Sequence, residues 1–159
     1  PSPLECAPGQ VGAMRSTSAH SWSAANGGPS SAHHTSRSLA ARQDTAELDD
    51  LRALITKHET LENPSTRDYF VANRAIHRAF MEAAGNRFLL EMFDMIWGRA
   101  MAFHLFAAIE NADIAKSLGN HIELVDVIAT GDRAAALEAF TAHIQEGFEL
   151  HLDGIRSTG

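Results

Sequence analysis

The chain has 159 residues, of which 45% are hydrophobic, and a formal net charge of −7, and this length allows one domain with a sizeable core. Because Lys57 and Lys116 are the only lysines, the sequence lacks the clustered cations that neutralise nucleic-acid phosphates. It also lacks the roughly 18-residue uncharged apolar run of a membrane span and the basic start of a signal peptide. The single cysteine, Cys6, excludes an internal disulfide. We therefore expect a cytoplasmic protein that by itself contacts neither DNA nor a membrane.

Residues 1–38 differ in composition from the rest of the chain. The stretch "STSAHSWSAANGGPSSAHHTSRS" is rich in Ser, Gly, Ala and His and has no helical or strand period. Such a composition buries too little apolar surface to offset the entropy lost on ordering. We predict a flexible low-complexity tail over residues 1–38 and one folded domain over residues 39–159.

From residue 39 onward, apolar residues recur with helical spacing, and no stretch shows the sustained alternation of a strand. "DTAELDDLRALITKHETLE" opens with Asp44 and carries Glu47 three residues later, which is the spacing of a capping box. The segment "NPSTRD" then interrupts the pattern, and Asn63 or Ser65 is available as the next N-cap.

A third helix is predicted over about residues 66–84 and a fourth over about residues 87–107. Gly85 suits a left-handed conformation at the end of the third helix, and Asn86 suits the N-cap of the fourth. The fourth helix is apolar on nearly all sides, so we expect it to be central in the fold.

The last two helices are predicted over about residues 113–129 and 133–155. The "TGD" segment separates them, because Gly131 can end one helix and Asp132 can cap the next. The sequence therefore predicts an all-α fold, an antiparallel bundle of about six helices.

Polar residues interrupt the apolar faces of three of these helices. Asn73 and His77 are four residues apart and project together from the third helix. His121 and His143 lie beside the apolar stripes of the fifth and sixth helices. Neutral imidazole is a common ligand of transition metals, and metal sites are often built between the helices of a bundle. Alternatively, each histidine is a hydrogen-bonded core residue, and periodicity alone does not show that they converge.

The stretch "NRAIHRAFMEAAGNRFLLEMF" and the later "NHIELVDVIATGDRAAALEAFTAHI" together resemble a known family. They look like the C-terminal effector domain (FCD) of the FadR-type subfamily of GntR transcription regulators. The family pattern has an Asp-x-x-x-His pair, a "GN" turn, a second His followed by Gly-Asp, and a last His in the final helix. The residues at the positions of this ordered pattern are Asn73, His77, Gly85, Asn86, His121, Gly131, Asp132 and His143.

The resemblance implies an all-helical homodimer that binds a small carboxylate effector, often through a metal held by Asp and three His. The resemblance also implies a regulatory domain and not an enzyme. When the family's ligand positions are transferred to this sequence, the implied metal ligands are His77, His121 and His143, with Asn73 in the place of the family's aspartate. A divalent transition metal, Zn or Ni first, suits these imidazoles.

This sequence departs from the family pattern at Asn73 and at the N-terminus. An amide oxygen can coordinate a metal but brings no charge, so the site either favours an anionic effector that supplies the missing carboxylate or stays metal-free and polar. The winged-helix DNA-binding domain of the family is expected to be absent, since residues 1–38 are too short for it. The family's first effector-domain helix is expected to survive only as "SRSLAARQ".

The effector is expected to meet cations or polar groups near the site. The candidates are Arg74, beside Asn73; Arg99, a charge on the apolar fourth helix that needs a partner; and His104, which either lines a cavity or packs. Either guanidinium can instead extend to water.

Two other functions remain open. In one, the chain is a helical interaction module whose histidines only pack, and it binds neither metal nor acid. In the other, it is a metal-dependent hydrolase, which would need an open metal position and a nearby general base. No motif such as H-E-x-x-H ties a carboxylate to the histidines, which argues against the hydrolase.

Overall fold

Helices make up nearly all of residues 28–42, 44–98 and 119–157, which are the residues that the structure, a computed structural model, describes. In chain order the helices are α1 (Gly28–Arg42), α2 (Thr45–Glu59), α3 (Thr66–Ala83), α4 (Arg87–Trp97), α5 (His121–Ala129) and α6 (Arg133–Ser157). No strand occurs in the described part of the chain. The predicted all-α bundle of about six helices is therefore confirmed.

The first helix departs most from the sequence-based expectation. α1 begins at Gly28, so residues 28–38 are helical where a flexible tail was expected. α1 is also longer than the segment "SRSLAARQ", to which the family resemblance limited the first helix. Residues 1–27 lie outside the described part, and the expected tail there stays a prediction.

Tertiary packing explains why α1 forms in spite of its polar composition. Thr35 and Ser36 are 0% exposed, and Leu39 and Ala40 are also buried, because α1 packs against α6 and also contacts α5 and α3. The Thr35 hydroxyl donates a hydrogen bond to the sulfur of Met81, 3.3 Å away on α3. Small side chains such as Thr35, Ser36 and Ala40 let helices approach closely. They are buried because other helices pack against α1, which the local sequence does not show.

Local capping signals fixed most of the other helix ends. The Asp44 carboxylate accepts from the backbone N–H groups of the first turn of α2, and Ser65 forms a reciprocal capping box with Asp68 at the start of α3. Asn86 caps α4 by accepting from the Leu89 N–H. Asp132 accepts from the N–H groups of Ala134 and Ala135 in the first turn of α6. These ends lie close to their predicted positions.

The turns contain the two left-handed glycines that were expected and two left-handed asparagines that were not. Gly85 has φ 72° and Gly131 has φ 76°, as their places after helices predict. Asn63 has φ 50° and Asn120 has φ 74°. Asn120 ends the turn just before His121, so α5 begins there and not near residue 113 as predicted; residues 99–118 are outside the described part.

The fourth helix is less central than its composition predicted. In the described part of α4, Phe93 and Trp97 are 2% exposed, whereas Phe88 is 67% and Met95 is 55% exposed. α4 packs on α3 through one side, and its other side carries apolar residues that are not covered by the described helices. The apolar surface of α4 alone was therefore not enough to predict how far the other helices surround it.

The core is built from one face of each of the other helices. α2 packs against α3 and α5, and α5 packs against α6. Fully or almost fully buried apolar side chains include Leu51, Ile55, Tyr69, Ile76, Phe80, Val125, Ile128, Ala136 and Phe140. Among the described helices, none is both long and apolar enough to cross a membrane.

Candidate metal centre

Three histidines from three helices meet inside the bundle. His77 lies in the middle of α3, His121 is the first residue of α5, and His143 lies in α6. The ring centroids are 5.3 Å apart for His77 and His121, 5.4 Å for His77 and His143, and 4.5 Å for His121 and His143. Helical periodicity predicted the face of each residue, but only the fold brings the three rings together.

The ring nitrogens converge on one point. Each of the three imidazoles offers one nitrogen, and these nitrogens all lie within 4.8 Å of one another. Zn–N bonds of about 2.0–2.1 Å place tetrahedral ligand atoms roughly 3.3 Å apart. The three imidazoles therefore suit a divalent transition metal in their chemistry, and their nitrogens lie near enough to share one ion.

Burial keeps the His77 and His143 rings of the cluster neutral. Loss of solvent lowers the pKa of His77 well below its ordinary value, and the charges that His121 and His143 would carry lower it further. Burial, together with His121, lowers the pKa of His143 to about 3. The imidazoles of His77 and His143 are therefore uncharged near neutral pH and keep a lone pair for a ligand.

Glu59, the last residue of α2, is a member of the site that sequence reasoning missed. Its Oε1 atom accepts the backbone N–H of His121 at 3.2 Å and lies 3.1 Å from His121 Nδ1. The one local signal was a carboxylate at a helix C-terminus, where the helix dipole disfavours it. No sequence spacing links Glu59 to His121, because the two residues are 62 positions apart.

Asn73 occupies the position expected for it. It lies on α3 one turn before His77 and is 5% exposed, so its amide is inside the bundle on the same helix face as the imidazole. Its role as a fourth ligand stays a prediction.

The expected effector ligands fall into two groups. The Nη2 atom of Arg74 is 3.1 Å from Asp94, and Arg78 pairs with the same carboxylate at 3.0 Å. Arg74 thus takes part in an ion pair between α3 and α4, and a role in effector binding would compete with Asp94. Arg99 and His104 lie outside the described residues, so their expected roles stay predictions.

Comparison with known proteins identifies the fold family. A family model described as the FCD domain matches residues 34–146, which is more than half of the chain. The match begins in α1 and ends in α6, so it includes the three histidines, Asn73 and Glu59. No match is found among curated proteins or among solved structures.

Proposed function

The chain belongs to the FCD domain family, and from that membership we propose that it senses a small organic acid through a metal held in the bundle. FCD domains are regulatory effector-binding domains of GntR-type regulators and not enzymes. The finer proposal is that a divalent transition metal, Zn or Ni first, is bound by the imidazoles of His77, His121 and His143, with Asn73 beside them.

One observation carries this proposal, the convergence of three imidazoles within 4.8 Å. Isolated buried histidines are common as hydrogen-bonded core residues, but here three helices each bring one imidazole nitrogen to within 4.8 Å of the other two. A metal at this place would receive three coordinate bonds from these nitrogens. The arrangement is therefore better explained by a ligand than by packing.

The chemistry of the donors indicates the class of effector. Imidazole and amide ligands contribute no negative charge, so a bound divalent ion would keep its charge and supply a Lewis-acid centre that attracts carboxylates. The His77 and His143 rings would hold that centre, and the buried surroundings would strengthen its attraction for an anion. A small carboxylate would complete both the coordination and the charge.

The first experiment is elemental analysis of the chain purified without a metal-affinity column, with His77→Ala beside it. We expect about one metal per chain in the parent and its loss in His77→Ala, because two imidazoles on separate helices bind a divalent ion far more weakly than three. His33→Ala is the matched control, since His33 is exposed on α1, and it should keep the metal.

The same preparations test the effector. If the parent holds metal, calorimetric titration with a panel of small carboxylates should show binding that chelation of the metal abolishes. If neither the parent nor His33→Ala takes up Zn or Ni after incubation, the metal proposal fails. The chain would then be a helical module whose histidines only pack, as the alternative interpretation holds.

The proposed partners follow from the family. We propose a homodimer, which sedimentation should report as twice the chain mass of 17.2 kDa. DNA contact is proposed to belong to a winged-helix domain and not to the described helices. A monomeric mass over a range of concentrations would contradict the dimer.

A further inference from the structure

Glu59 links the end of α2 to the start of α5, and we propose that it is the positioning residue of the histidine cluster. By accepting hydrogen bonds from His121, it places the proton of that ring on Nδ1 and leaves the Nε2 lone pair for the centre shared with His77 and His143. The inference rests on the proposed metal function for its purpose, but its structural part can be tested without metal.

Hydrogen-bond chemistry supports this arrangement. A carboxylate accepts hydrogen bonds, so the proposal places the hydrogen of the His121 ring on Nδ1, which lies 3.1 Å from Glu59 Oε1. In a neutral ring the other nitrogen is then the acceptor. The same Oε1 atom accepts the His121 backbone N–H at 3.2 Å, which holds the carboxylate and the ring in a fixed relation.

Burial makes this contact strong and specific. The side chain of His121 is 0% exposed, and that of Glu59 is 18% exposed. Water competes little for such a bond, and an ionised acceptor in a low-dielectric setting strengthens it. A carboxylate on the remote nitrogen of a ligating histidine fixes the ring and raises its basicity toward a metal.

The charge of Glu59 also bears on the departure at Asn73. The amide there supplies no negative charge, whereas a carboxylate one imidazole away supplies it through His121. Glu59 is not itself a proposed ligand, but it would supply to the site part of the negative charge that an aspartate ligand would bring. Such a role would account for a carboxylate at the C-terminal end of α2, where the helix dipole disfavours it.

A purely structural role is the competing explanation, and it can be separated. Asn120 at the start of α5 makes no hydrogen bond from its side chain to the helix, and Glu59 satisfies the N–H of His121 in its place, where a negative charge is favourable. In Glu59→Gln the amide oxygen can still accept that N–H, so the cap is kept while the charge is lost. Glu59→Ala removes both.

The test uses the full chain and reads ring protonation and metal affinity separately. ¹⁵N shifts of the histidine rings in the metal-free parent should place the His121 proton on Nδ1, and Glu59→Ala should lose that preference. Chelator competition should show Zn affinity weakened on the order of 10–100-fold in Glu59→Gln. Glu62→Gln, an exposed glutamate in the turn after α2, should leave both readings unchanged.

The outcomes distinguish the two proposals. Parental Zn affinity in both Glu59 variants, or a His121 proton on Nε2 in the parent, overturns the positioning role while the metal function stands. No Zn binding by the parent, with an Nδ1 proton that depends on Glu59, overturns the metal function and leaves the positioning of His121 in place. Loss of thermal stability in Glu59→Ala with unchanged affinity in Glu59→Gln reduces Glu59 to a helix cap and overturns the proposal.

Discussion

At the scale of single residues, the chemistry of the site depends on which side chains supply charge. His77 and His143 are held neutral because burial disfavours their charged forms. Asn73 adds an oxygen without charge. In the described part of the chain, Glu59 is the carboxylate that pairs with the cluster, and it contacts the Nδ1 side of the His121 ring. With such ligands, the metal ion and not the side chains would attract an anionic effector.

Restoring the aspartate of the family should strengthen metal binding. In Asn73→Asp a carboxylate replaces the amide one turn before His77, and each added negative ligand raises divalent-ion affinity, here by on the order of tenfold. Zn affinity by chelator competition measures the change. Asn63→Asp makes the same substitution at an exposed turn residue and should have no effect.

The same variant has an expected cost in the metal-free state. A buried carboxylate without a cation is destabilising or becomes protonated, so the metal-free Asn73→Asp chain should unfold more easily than the parent. If Asn73→Asp and Asn63→Asp bind Zn equally, the position of Asn73 among the ligands is wrong.

At the scale of the helices, short polar side chains determine where each begins and ends. Ser65 and Asp68 exchange hydrogen bonds with each other's backbone N–H groups at the start of α3. At the other end, the Arg42 guanidinium donates to the Ala83 carbonyl at 3.0 Å, and the Ser38 hydroxyl donates to the Ala84 carbonyl at 2.8 Å. α1 therefore supplies hydrogen-bond donors to the carbonyl groups at the C-terminus of α3, the helix that carries His77.

Removing the Ser65 hydroxyl should weaken the fold without altering the site. Ser65→Ala leaves an N–H in the first turn of α3 without its side-chain acceptor, which costs about 1 kcal/mol. Urea unfolding measures the free energy of unfolding, and Ser65→Thr, which keeps a hydroxyl, should lose less. Equal stability of Ser65→Ala and the parent would show that solvent satisfies this helix end as well as the serine does.

At the scale of the whole molecule, the bundle holds uncharged histidines where the unfolded chain exposes them. The folded pKa of His143 is about 3, against an ordinary value of 6.5. Between these two values the unfolded chain binds a proton that the folded chain does not, so the free energy of unfolding falls as the pH falls through this range. Above pH 6.5, the ordinary pKa, the ring is neutral in both states, and His143 no longer makes the free energy of unfolding depend on pH.

This linkage predicts acid sensitivity in the metal-free protein. His143 alone should lower the free energy of unfolding by about 2 kcal/mol between about pH 7.5 and about pH 5. Urea unfolding at the two pH values measures it, and His143→Phe, which keeps a buried ring that cannot titrate, should show a smaller fall. An identical pH dependence in the parent and His143→Phe would contradict the neutral state assigned to this residue.

How much of this could be read from the sequence depends on the range of the interaction. The caps at Asp44, Ser65 and Asn86 were predictable because a side chain and the N–H that it accepts are separated by two or three residues. The face of each helix that carries His77, His121 or His143 follows from the helical period in the same way. Gly85 and its left-handed φ follow from its place after a helix.

The remaining features depend on contacts between residues far apart in the chain. α1 is helical from Gly28, and its polar residues Thr35 and Ser36 are buried by packing against other helices, which local composition does not predict.

By itself, then, the sequence determined the helical class, most helix ends and the ordered residues that match the FCD family, because these arise within one or two helical turns. Only the tertiary structure decided that the three rings lie within reach of one ion, that α1 belongs to the folded unit and that Glu59 contacts His121 across 62 positions. The physical reason is that periodicity specifies the direction of a side chain from its own helix axis. The distance between two side chains on different helices is set by how the helices pack.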